Sequence, residues 1–145
     1  METSIEIATP VARVWDVLMD PHRLEEWVTI HRRLEKVSDT PLRQGSTLEQ
    51  TLCIAHTNFK VRWTVSRIEE PRLAVWEGKG PARSKATTVY RLEPDGPERT
   101  RFSYENDFKA PGGVLGAAAG RMLVGGVSRR EAERSLDRLK DLLEQ

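Results

Sequence analysis

The side chains best placed to do chemistry in this sequence are two amides and two phenols set among apolar residues. Gln50 is in register with Leu48, Leu52 and Ile54, and Asn106 with Phe102, Tyr104 and Phe108. Each amide therefore shares the inward face of an alternating strand. A buried amide without a partner costs roughly 1–3 kcal/mol, so each requires a backbone group, a neighbouring side chain or a polar group on a bound molecule. The hydroxyls of Tyr90 and Tyr104 make the same demand. Phe59, Trp63, Trp76, Phe102 and Phe108 supply aromatic wall around them. An apolar hollow with a few polar groups is the usual chemistry of a small-molecule site. Arg62 and Arg83 are the cations that could polarise a carbonyl there. Arg62, however, alternates onto the wet face with Lys60, and Arg83 falls at a strand edge. No catalytic set is assigned residue by residue.

Other chemistries lack their signatures. His22, His31 and His56 have no metal-ligand spacing, and no carboxylate pair accompanies them, so neither a metal nor any other cofactor is expected. Glycine-flanked serine elbows, phosphate loops and dinucleotide fingerprints are missing. Cys53 is the only cysteine, which excludes an internal disulfide, and its alternating segment reads it as a small buried hydrophobe. A formal net charge of +1 gives no drive toward nucleic acid. No secretory leader and no membrane span is apparent, and the expected location is cytoplasmic.

The elements that must position these side chains follow from periodicity. Ser4 to Ala8 alternates and leads into a helix from Val11 to Met19, with Thr9 as its expected N-cap and Asp20-Pro21 as its stop. A second short helix or turn covers His22 to Glu26. Extended segments follow from about Ile30 to Val37, through Leu48 to Ile54, and from Phe59 to Ser66 after a turn near His56-Thr57-Asn58. Further strands run from Leu73 to Gly80, Lys85 to Leu92 and Arg99 to Phe108, giving six or seven in all. From Leu115 to Leu143 the apolar residues recur at helical spacing, predicting a long amphipathic helix. Its first half is small and nearly uncharged, with Gly116 to Gly120 as a small contact face; its second half carries charges read as a solvated face. With 145 residues and 38% hydrophobic content, one domain over 1–145 is expected. This is an α+β domain: a curved antiparallel sheet, two short N-terminal helices and a long C-terminal helix enclosing a cavity.

The segments Ile5-Glu6-Ile7-Ala8-Thr9-Pro10, Val14-Trp15-Asp16-Val17-Leu18, Asp20-Pro21, Glu26-Trp27, Glu70-Pro71-Arg72-Leu73, Pro111-Gly112-Gly113 and Leu136-Asp137-Arg138-Leu139-Lys140 carry a likeness. In them the chain resembles the START-like (SRPBCC) superfamily of helix-grip proteins, which includes birch-pollen-allergen-like proteins, polyketide cyclases/dehydrases and coenzyme Q-binding proteins. The Gly-rich start of the last helix is also similar to the small G subunit associated with carbon monoxide dehydrogenase. The resemblance implies a helix-grip fold and structural roles for Trp15 and Trp27. It also implies a small hydrophobic ligand of lipid, isoprenoid or polyketide kind as the partner. Members of the superfamily include carriers and cyclases on one frame. Two readings follow: ligand binding and transport, or a metal-free aromatase/cyclase-type lyase in the same cavity. A third class, a partner-binding module using the outer sheet face, would have a filled core. The expected ligand-contacting set is Gln50, Phe59, Trp63, Trp76, Tyr90, Phe102, Tyr104, Asn106, Phe108, Leu115 and Met122. Glycines between Pro111 and Gly126 mark that segment as the expected gate.

Overall fold

Alternation along the middle of the chain produces a meander of strands. The computed structural model describes residues 1–109 and 129–145. The strands are β1 (Glu2–Ile7), β2 (His31–Glu35), β3 (Thr47–Ile54), β4 (Thr57–Glu69), β5 (Leu73–Lys79), β6 (Lys85–Pro94) and β7 (Thr100–Lys109). They form one seven-stranded sheet in the order β1-β7-β6-β5-β4-β3-β2, antiparallel throughout. The helices are α1 (Val11–Leu18), α2 (Leu24–Trp27) and α3 (Arg129–Leu143), with single 3₁₀ turns at Pro21–Arg23 and Pro81–Arg83. Leu115, Met122, the small face from Gly116 to Gly120 and the expected gate from Pro111 to Gly126 lie outside the described residues.

Register follows the hydrophobic pattern. Leu48, Gln50, Leu52 and Ile54 of β3 are buried while Thr47, Glu49, Thr51 and Cys53 are less so. Cys53 is thus half-buried on the outer face, which corrects its reading as a core hydrophobe. In β4, Lys60 and Arg62 are exposed and Val61 and Val65 buried, as the alternation predicts. The β3–β4 turn has only two residues, Ala55 and His56, at φ +50° and +64°. Two residues with positive φ are what a tight turn needs to match the twist of its strands.

The solid part of the core lies under α1 and α3. Ile7, Val14, Leu18, Leu92, Phe102, Leu136, Leu139 and Leu143 are all at most 3% exposed. The buried residues of α3, namely Ala132, Ser135, Leu136, Leu139 and Leu143, recur at helical spacing and pack toward β1 and α2. The ion pair Lys140–Glu144 lies on its wetter side, and Arg134 pairs with Glu131 one turn before it.

Thr9 does not cap α1; Pro10 occupies that position, without a side-chain cap. The Thr9 hydroxyl donates instead to the Leu143 carbonyl at 2.9 Å, and its own carbonyl accepts from the Thr100 hydroxyl at 2.8 Å. A helix C-terminus leaves carbonyls unsatisfied, and here a residue distant in sequence satisfies one of them. The Ala8 amide donates to Glu144 at 2.8 Å, and Lys140 donates to the Glu6 carbonyl at 2.9 Å, completing the seam between β1 and the end of α3.

Candidate ligand-binding site

Farther along the concave face the packing opens. A cavity of about 100 Å³ lies between the sheet, the N-terminal helices and the start of α3. Its sheet wall includes Gln50 and Leu52 of β3, Trp63 of β4, Trp76 of β5, Tyr90 of β6, and Tyr104 and Asn106 of β7. Leu18, Leu24 and Trp27 form a second side, and Glu131, Ala132, Ser135 and Leu136 of α3 a third. Strand alternation aims the sheet residues inward, while helical spacing puts the α3 residues on one stripe.

Six of the eleven expected contact residues meet here: Gln50, Trp63, Trp76, Tyr90, Tyr104 and Asn106. Phe108 borders a neighbouring hollow of about 190 Å³ with Ile54, Val61, Pro81 and Ala86; Leu52, Trp63 and Asn106 border both spaces. Phe102 is fully buried in the solid core, and Phe59 packs beside Leu52, Ile54 and Val61. Neither lines either of these two hollows. Arg62 and Arg83 are exposed and outside both walls.

The two amides solve their hydrogen-bonding problem differently. Trp63 Nε1 donates to Gln50 Oε1 at 2.9 Å, and Gln50 Nε2 lies 2.9 Å from His31 Nδ1. An indole N–H only donates, so the Gln50 carbonyl must face Trp63 and its amide must face His31. His31 Nδ1 is then an acceptor, and the neutral ring carries its proton on Nε2. Burial holds the His31 pKa below its ordinary 6.5, with Arg32 adding to the effect and Glu25 opposing it. Asn106 is only half satisfied: Nδ2 donates to the Tyr104 hydroxyl at 3.2 Å, while Oδ1 is buried without a partner among the described residues. Of the three partners expected for these amides, Gln50 has neighbouring side chains, while Asn106 Oδ1 fits the alternative of a polar group on a bound molecule.

Tyr90 is the hub of the aromatic wall. Its ring lies 6.2 Å from Trp27, 6.1 Å from Trp76, 5.4 Å from Phe102 and 6.2 Å from Tyr104, the Phe102 contact being nearly perpendicular at 84°. Edge-to-face arrangements of this kind are favourable beyond the area they bury. The Trp27 and Trp76 indole N–H groups are buried without a hydrogen-bond partner among the described residues, and both rings pack against Tyr90. Burial raises the pKa of Tyr90 far above its ordinary value, with Tyr104 adding to it. Tyr104 is also raised by burial, against opposing hydrogen bonds from Asn106 and Thr88. Both phenols stay protonated at neutral pH.

A polar cluster that periodicity did not single out lines the third side. Thr29 donates its hydroxyl to Glu131 Oε2 at 2.7 Å, and its amide donates to the Ser135 hydroxyl at 3.1 Å. Glu131 and Ser135 therefore face the cavity from a helix half read as solvated. Trp27 likewise does more than pack a helix, since it lines the cavity at 2% exposure. The signals were present but local: Ser135 stands beside Leu136 on the apolar stripe, and Thr29 follows Trp27 closely. Among the described residues, no cluster of three or more His, Cys, Asp or Glu is placed to hold a metal ion. No described helix is long and apolar enough to cross a membrane.

Comparison with known proteins places this geometry. A family model described as polyketide cyclase/dehydrase and lipid transport matches residues 1–144. Two curated relatives, toxin Rv0910 of Mycobacterium tuberculosis strain H37Rv and toxin MT0934 of strain CDC 1551, are 24% identical over 91 residues. The match spans 63% of this chain and 63% of each relative's length. Among solved structures, the ZhuI aromatase/cyclase of Streptomyces sp. R1128 superposes with a TM-score of 0.78 at 18% identity, covering 99% of this chain and 92% of that one. A START superfamily protein of Mycobacterium smegmatis gives 0.77 at 15% identity over 99% and 97%. A conserved protein of Geobacillus kaustophilus gives 0.72 at 23% over 98% and 93%. At such identities these structures speak to the fold alone.

Proposed function

The chain belongs to the polyketide cyclase/dehydrase and lipid transport family, and we propose that it binds and carries a small, mostly apolar molecule of lipid, isoprenoid or polyketide kind in the cavity under α3. The observation that carries this reading is the wall itself. Trp27, Trp63, Trp76, Tyr90, Leu52 and Leu136 offer apolar surface, and Gln50, Asn106, the Tyr104 hydroxyl and the Thr29–Glu131–Ser135 cluster are polar groups set into it. Such a wall favours an apolar body carrying one or two oxygens.

Native mass spectrometry of the purified protein, together with uptake of the uncharged fluorophore N-phenylnaphthylamine, tests the proposal. A co-purified small molecule, or saturable fluorescence enhancement that Leu136→Trp suppresses, is the expected result. A protein that emerges empty and leaves the fluorophore dark would overturn it.

A second reading, cyclisation or dehydration of a polyketide in the same cavity, is favoured by one arrangement. Glu131 is the sole carboxylate among the described residues of this wall, and Tyr104 is a protonated phenol on the opposite side. Removing a proton beside a carbonyl and returning one to an oxygen needs such a pair. Turnover of a linear poly-β-ketone thioester that disappears in Glu131→Gln would favour this reading. Binding without turnover would favour carriage.

A further inference from the structure

Resting on the binding reading above, we propose that Trp63 is the specificity-determining partition of the site. It divides the concave face into two compartments and so sets the length of apolar molecule that the site accepts.

Three observations converge on this residue. First, the compartments of about 100 and 190 Å³ share only Leu52, Trp63 and Asn106 among their described walls, and Trp63 is the largest of the three. Second, its ring is seated on a residue that has no side chain. Trp63 pairs with Gly78 across β4 and β5. A Cβ at Gly78 would stand 2.7 Å from Cζ3 and 2.8 Å from Cε3 of the indole. The ring sits this close to β5 because position 78 carries no side chain. Third, its other edge is tied down. Nε1 donates to Gln50 on β3, and Gln50 is itself held by His31 on β2. The indole is thus located across neighbouring strands by packing on one side and a directed hydrogen bond on the other. A side chain that only filled space would need neither, whereas a wall that measures a ligand must be held in place.

The far compartment is apolar enough to receive a chain. Leu52, Ile54, Val61, Ala86 and Phe108 line it, and among the described residues Lys85 and Asp107 are the charged side chains of its wall. With the indole in place, a straight-chain molecule in the first compartment stops at Trp63; without it, the chain runs on toward Phe108. Gln50 and His31 are positioning residues in this arrangement, acting through the indole.

The test is competition of straight-chain alcohols, hexanol through dodecanol, against N-phenylnaphthylamine in the full chain. Each added methylene that is accommodated should tighten binding about fourfold. In the native protein this gain should cease at a cut-off within the series. Trp63→Ala should move the cut-off to longer alcohols. Gly78→Ala, which displaces the ring without removing it, should blur the cut-off. Gln50→Leu should do the same, and Gln50→Glu, which keeps an acceptor for the indole, should restore it. Near-ultraviolet circular dichroism identifies the folded variants. Gly78→Ala and Trp63→Phe carry the test if Trp63→Ala does not fold. A native cut-off that stays in place in the folded variants would overturn the partition while leaving binding intact. Affinity that rises through dodecanol without a cut-off would do the same. A native protein that takes up neither the fluorophore nor any alcohol would instead fell the binding reading, and the partition with it.

Discussion

The concave face of the sheet is solid at one end and hollow at the other. At the solid end Ile7, Val14, Phe102 and Leu139 are completely buried. There the start of the chain and the end of α3 are joined through Thr9, Ala8 and Lys140. At the hollow end a smaller cluster of Leu52, Ile54 and Val61 supports Phe59, Trp63 and Phe108 beside open space. Polar groups follow the same division. Those at the solid end satisfy backbone carbonyls and amides, whereas those at the hollow end mostly bond one another, and Asn106 Oδ1 has no partner among the described residues. One end supplies the stability that lets the other remain unfilled.

The largest effect expected from this contrast is on stability. Phe102→Ala should destabilise the fold by about 3–5 kcal/mol, since it removes a fully buried ring that also packs edge-on against Tyr90. Phe108→Ala should lose less than half as much, because that ring already borders a void. Chemical denaturation of both variants decides the matter, and equal losses would break the comparison. Next in size, Thr9→Val should cost about 1–3 kcal/mol by stranding the Leu143 carbonyl, which the same measurement reads.

Smaller effects give each end its own pH signature. The Glu144 carboxylate is held below its ordinary pKa by the Ala8 amide and then by Lys140. A depressed carboxyl contributes stability that is present above its unfolded value, near 4.5, and is lost as pH falls through the folded one. Glu144→Gln should flatten the acid limb of the stability profile. His31 at the hollow end is depressed from 6.5 by burial. Its contribution is complete above 6.5 and declines as pH falls from there toward the folded pKa. Protonating Nδ1 also turns the Gln50 amide partner from acceptor into donor, so Trp63 should lose its hydrogen bond as pH falls through the folded His31 pKa. Indole fluorescence should therefore shift at a pH displaced below the ordinary histidine value of 6.5, and His31→Phe should abolish the shift. A shift unaffected by that change would separate His31 from Trp63.

The sheet was legible in the sequence because two-residue alternation in Phe59 to Ser66 and Leu48 to Ile54 leaves one register that buries the apolar set. Gln50 and Asn106 stood out for the same reason: each breaks an apolar face and lines the cavity. Thr9 was misread because local capping rules see only the next few residues, whereas its partner is Leu143. Phe102 and Phe108 share a strand face, yet one is core and the other borders space. Periodicity gives direction and carries nothing about how closely the opposite layer approaches. The Thr29–Glu131–Ser135 cluster joins a loop to a helix across most of the chain, and spacing within either segment cannot reveal it.

The pairing of β1 with β7 bears on how the molecule comes into being. Ile5 sits opposite Phe102, so the first strand cannot find its neighbour until the chain has been made through β7. The strands from β2 to β6 can zip as successive hairpins while synthesis proceeds, but β1 must wait, with its partner strand and α3 still to come. Contacts so distant along the chain slow folding and lengthen the time that unpaired strand edges stay exposed. The seam that holds the solid end together is therefore the last to close. During birth on the ribosome, the most stable part of the finished protein is its most vulnerable.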